Sequence, residues 1–140
     1  MSLWRRVALN RFPHLHRQIA DAEHIGEVWF RLYQALEGAY RQESFDESFV
    51  GAIYEYASWC LHHRNIDVRT AVVVSFYEHL PDNPVLRPDM ARWMSSEDFD
   101  LVDFAWEYVL KDKKIVQDFQ EEFSSRKAGI SGRGEQATTK

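Results

Sequence analysis

The sequence predicts an all-α protein, a single compact domain of five or six helices for which antiparallel helix pairs are the natural packing. Three observations point there. Apolar residues recur at steps of three and four through most of the chain. Six Gly and four Pro in 140 residues are too few for the turns that an all-β sandwich needs every ~8–12 residues, and three of the prolines, Pro81, Pro84 and Pro88, share one stretch. No two runs of alternating apolar residues are joined by hairpin turn chemistry.

The elements follow in order. Residues 1–20 place Leu3, Val7 and Leu9 among arginines, break at Pro13 and resume with Leu15 and Ile19, which predicts a short basic amphipathic arm docked on the body. From about Ala22 to Gln42, Ile25, Val28, Trp29, Leu32, Leu36, Ala39 and Tyr40 form one face of a long helix. Ser44 and Asp46 are both candidate N-caps for the next helix, whose stripe is Phe49, Ile53, Tyr56, Cys60 and His63. Asn65 and Asp67 offer caps to a segment reaching Leu80. Its run Ala71-Val72-Val73-Val74 is β-branched, but a lone strand has no partner here, so helix is expected. After the Pro81–Pro88 loop comes a turn of helix to Trp93. The capping-type start Ser95-Ser96-Glu97-Asp98 then opens a helix to Leu110 that is apolar nearly all round and leaves Asp100, Asp103 and Glu107 as a wet edge. A last helix, about Lys113 to Ser125, presents Ile115, Val116, Phe119 and Phe123. Residues 1–126 are thus expected to be one helical domain with the basic arm at 1–20, and residues 127–140 a disordered tail.

Twenty aromatic residues, five of them Trp, exclude a chain too poor in apolar groups to build a core. The absence of a long apolar run and of a leader-like start predicts a cytoplasmic protein with no membrane partner. One cysteine supplies neither an internal disulfide nor a thiolate zinc cage. Charge is uneven: residues 1–20 carry four arginines and no acid, whereas residues 21–126 hold ten Lys/Arg against twenty-one Asp/Glu. An acidic body repels nucleic-acid phosphates and favours a basic partner.

Candidate chemistry is sparse. Cys60 and His63 share a helix face, as a thiol and its base must, but that face is the core face, where a thiol is inert. The histidines His14, His16, His24, His62, His63 and His79 have no metal-ligand spacing, so neither a metal nor another cofactor is expected. Asp100, Asp103 and Glu107 lie at helical steps and read as a solvated edge or as a docking strip for the lysines and arginines of a partner, rather than as an acid–base pair. Of the five tryptophans, Trp59 and Trp93 are expected nearest the surface and so are the candidate anchors. Tyr54-Glu55-Tyr56, Tyr77-Glu78-His79 and Trp106-Glu107-Tyr108 echo one another, but their unequal spacing argues against a repeat array.

The blocks Tyr54–Cys60, Ala71–Leu80 (with Val74-Ser75-Phe76-Tyr77-Glu78-His79-Leu80 the most specific part) and Phe99–Tyr108 resemble a small bacterial all-helical domain family without assigned function, over about residues 49–123. The resemblance implies helices and no known catalytic set, and small acidic helical proteins of this type suggest immunity or antitoxin-like partners. The expected function is therefore a non-enzymatic protein–protein interaction module that binds a basic protein, a toxin being the sharpest version, through Trp59, Trp93, Asp100, Asp103 and Glu107. The alternatives are a small enzyme or ligand-binding bundle with a pocket near Cys60, His63 and His79, and self-association through Phe119 and Phe123.

Overall fold

The computed structural model describes residues 1–138 and is all-helical, with eight α-helices and no strand among the described residues. In chain order they are α1 (Leu3–Arg11), α2 (His16–Asp21), α3 (Ile25–Arg41), α4 (Glu47–Leu61), α5 (Ile66–Ser75), α6 (Met90–Trp93), α7 (Ser96–Leu110) and α8 (Lys113–Thr138). The count exceeds five or six because Pro13 divides the N-terminal arm in two, and because the turn ending at Trp93 is a helix in its own right. Where the sequence reading draws one domain, the chain divides into two compact units, Met1–His79 and the remainder from Leu80.

The first unit is built on α5, which packs against both α3 and α4. Asp46, not Ser44, caps α4 by accepting the Phe49 N–H at 3.0 Å, and Asn65 caps α5 by accepting that of Asp67 at 2.8 Å. The buried face of α3 is Ile25, Val28, Trp29, Leu32, Leu36 and Ala39, as its period requires. The valine run is helical, but α5 stops at Ser75: Phe76 leaves the helix with φ −126° and ψ −70°, and its ring is fully buried. There Phe76 lies 4.9 Å from Trp29, 5.5 Å from Tyr54 and 5.1 Å from Tyr77, centroid to centroid. Trp29 in turn stacks on Tyr56 at 5.3 Å, and Tyr56 meets Phe12 edge-on at 5.8 Å.

The N-terminal arm docks on this unit through directed polar contacts as well as packing. The Arg5 guanidinium donates to the carbonyls of Ile19 (2.7 Å), Ala20 (2.9 Å) and Ala22 (2.7 Å), at and just beyond the C-terminal end of α2. The Tyr56 hydroxyl donates to the Trp4 carbonyl at 2.9 Å, and Arg11 pairs with Glu55 at 3.2 Å.

In the second unit α8 packs on α6 and α7. Ser95 caps α7 by accepting the Asp98 N–H at 3.1 Å, which puts Asp98 in the first turn, where a helix favours an acid. The core is a ring cluster: Phe99 lies 4.4 Å from Trp106 and 3.9 Å from Phe123, and Trp106 meets Phe119 edge-on at 5.0 Å. Arg87 spans the cluster's edge, with Nε 2.6 Å from Glu122 and its guanidinium 4.9 Å from the Phe119 centroid. Lys111, at φ 57°, makes the left-handed turn into α8.

Helix α8 runs through Thr138, where the sequence reading places a disordered tail from residue 127; residues 139 and 140 lie outside the described residues. Loss of apolar period removes a buried face without removing the hydrogen bonds a helix makes to itself. Lys127 adds an anchor: its Nζ donates to the carbonyls of Ala91 (3.0 Å) and Met94 (2.8 Å) at the end of α6.

Candidate functional site

The most distinctive surface of the second unit is the outer face of α7. Its inner residues Phe99, Val102, Ala105 and Trp106 are buried, together with Asp98. One helical step round, Leu101, Phe104 and Tyr108 are 46%, 65% and 75% exposed. They stand at spacings of three and four, so they line one stripe, and the exposed acids Glu97, Asp100 and Glu107 lie beside it. Asp100 is four residues before Phe104 and Glu107 three after it, which brackets an exposed ring with carboxylates on both turns.

The five candidate residues read from the sequence fall in both units. Trp59 belongs to the first unit, Trp93 and the three acids to the second. Asp100 and Glu107 are exposed, but Asp103 is half-buried and accepts a 2.6 Å hydrogen bond from Gln120 of α8, which ties two helices together. Trp93 is half-buried, donates its indole N–H to Asp89 at 3.2 Å, and carries the Arg92 guanidinium 4.5 Å from its ring centroid. Phe119 and Phe123, on which the sequence reading rests self-association, are 1% and 4% exposed inside the ring cluster and have no surface to offer. The residues missed are Leu101, Phe104 and Tyr108. A helix apolar on nearly every side does not declare which side faces out; the signal was in the acids, because the wet edge from Asp100 to Glu107 passes through Phe104.

In the first unit Trp59 is half-buried, with its ring stacked on Tyr56 (5.8 Å, 11°) and 5.0 Å from the His63 ring. It lines a cleft with Leu3, Glu55, His62, His63 and Arg64. Cys60 and His79 do not line that cleft, so the Cys60/His63/His79 grouping is not assembled there. Cys60 is fully buried, His63 spends its Nδ1 on the Asn65 N–H at 2.9 Å, and His79 is exposed beside Tyr33 at 5.7 Å. Among the described residues no three of His, Cys, Asp and Glu converge as metal ligands, and no helix is long and apolar enough to cross a membrane.

Burial pushes the Cys60 thiol up to about 12, against weaker opposing influences from Tyr56, Trp29 and Arg11; burial also raises the Tyr56 phenol. A thiol held neutral in the fold contributes stability that is fully present below its unfolded value of 9.0 and is lost as the pH climbs towards about 12. Two outcomes are expected. Native protein at pH 8 should react with a thiol reagent at least about a hundred-fold more slowly than denatured protein, and Cys60→Ala should flatten the fall in stability above pH 9.0. Fast native labelling would contradict this burial.

Residues 6–98 match a family described as a domain of unknown function, DUF7674. No curated protein and no solved structure matches the chain. The matched stretch takes in nearly all of the first unit, including residues 6–48, to which the resemblance read from the sequence did not extend. It ends at Asp98 in the first turn of α7, so Trp59 lies within it and Phe104 and Tyr108 lie beyond it.

Proposed function

We propose that this chain, which belongs to the DUF7674 family of unknown function, works as a protein–protein interaction module whose α7 face binds a segment both basic and apolar. The observation that carries the reading is the exposure of Phe104 and Tyr108, at 65% and 75%, in a chain that buries most of its other rings. Exposed aromatics on a rigid helix are the side chains that anchor interfaces, because they add large area at little conformational cost. The flanking Glu97, Asp100 and Glu107 steer a cationic partner and set its register more than they add affinity. A partner helix with apolar residues at three- and four-residue steps, edged by Lys or Arg, satisfies both requirements.

Titration calorimetry with an amphipathic Leu/Lys helical peptide tests this. Binding should weaken with salt, and Phe104→Ala or Tyr108→Ala should each cost about 2 kcal/mol, roughly 30-fold in affinity. Val74→Ala, on an exposed position of α5, should leave binding unchanged. Equal affinity in the Phe104→Ala/Tyr108→Ala double variant would sink the assignment of this face.

A further inference from the structure

We infer that the protein pairs with itself head to tail, the α7 face of one copy seating on the Trp59 cleft of a second. The inference rests on the reading of α7 as a docking face and names its partner. Two surfaces that the same chain carries are complementary to each other.

The α7 face offers apolar Leu101, Phe104 and Tyr108 edged by three carboxylates, Glu97, Asp100 and Glu107. The cleft of the first unit offers the converse. Its apolar floor is the half-buried Trp59 ring, held in place by Tyr56 on one side and His63 on the other, with Leu3 half exposed at its edge. One guanidinium, the exposed Arg64, lines the cleft, and Arg6 is exposed on the adjoining face of α1; the one acid that lines it, Glu55, is paired with Arg11 at 3.2 Å. The arm that builds one wall carries four arginines and no acid across residues 1–20, in a chain whose overall charge is −5. An aromatic floor with a basic rim is what an acid-edged aromatic helix face requires: the rings meet in the desolvated centre and the charges pair at the wet edge.

The two surfaces are different, so the contact is heterologous. After pairing, one copy keeps an unused cleft and the other an unused α7 face, and association propagates unless it closes into a ring.

Sedimentation and light scattering of the full chain across concentration and salt provide the test, with two variants. Phe104→Glu spoils the α7 face and Arg64→Glu spoils the cleft rim; both positions are exposed, so neither should unfold the protein, and circular dichroism checks that. Wild type should self-associate, and each variant alone should raise the dissociation constant about ten-fold or more. Mixing the variants should restore a one-to-one complex and nothing larger, because only one intact pair of surfaces remains. Raising salt should weaken that complex. A wild-type chain that stays monomeric throughout, or a variant that assembles as wild type does, overturns the inference. The Leu/Lys peptide separates the two failures: a monomeric chain that still binds the peptide through Phe104 loses self-pairing and keeps the interaction module, whereas one that binds neither loses both.

Discussion

Trp29→Ala should lower the stability of the first unit by about 3–5 kcal/mol, the cost of emptying a fully buried indole site that its neighbours cannot collapse to fill. Trp29 is 0% exposed and lies between Tyr56 at 5.3 Å and Phe76 at 4.9 Å, so its removal opens the centre of the ring chain that joins α3, α4 and the end of α5. Against a typical total of about 5–15 kcal/mol, the loss is severe. The midpoint of thermal unfolding should drop by upwards of about 12 °C in scanning calorimetry. Trp29→Phe, which keeps most of the volume, should lose far less. A loss below about 1 kcal/mol for the alanine variant would mean that the rings are not packed as described.

Trp106→Ala should be comparably damaging in the second unit, and its signature is local. Trp106 is 0% exposed and contacts Phe99 at 4.4 Å and, across the α7–α8 contact, Phe119 at 5.0 Å, so it is one of the side chains through which α7 holds α8. Hydrogen exchange of the amides around Val116, Phe119 and Phe123 should accelerate by at least about a hundred-fold, the equivalent of about 3 kcal/mol or more. Unchanged protection there would show that the contacts left in place, Phe99–Phe123, Asp103–Gln120, Arg87–Glu122 and the Lys127 anchor, hold α8 without the indole.

Much of this fold was legible in the sequence because local rules act over a few residues. Asp46, Asn65 and Ser95 cap their helices because a short oxygen-bearing side chain just before an apolar period has little else to do. Trp29 and the α3 stripe were readable because that helix has one clean apolar face. What the sequence hid depended on tertiary choices. Phe76 ends α5 early, and no local signal at Val74-Ser75-Phe76 announces that. Asp103 has the spacing of a surface acid and is taken by Gln120, seventeen residues on. The exposure of Leu101, Phe104 and Tyr108 is not legible because α7 has apolar residues on almost every side, and only the packing of Phe99 and Trp106 decides which side is left outside. The C-terminal stretch lacks period, yet Lys127 finds two free carbonyls on α6.

The ring clusters also give the molecule an optical property. Each compact unit encloses one fully buried tryptophan, Trp29 in the first and Trp106 in the second, while Trp4, Trp59 and Trp93 are only half-buried. A chain in which those three are replaced by phenylalanine would emit from two indoles alone, one per unit. Removing either of the two would then leave a single indole reporting on its own unit, so the loosening of each half could be followed separately by the red shift of one indole emission band, without attaching a dye.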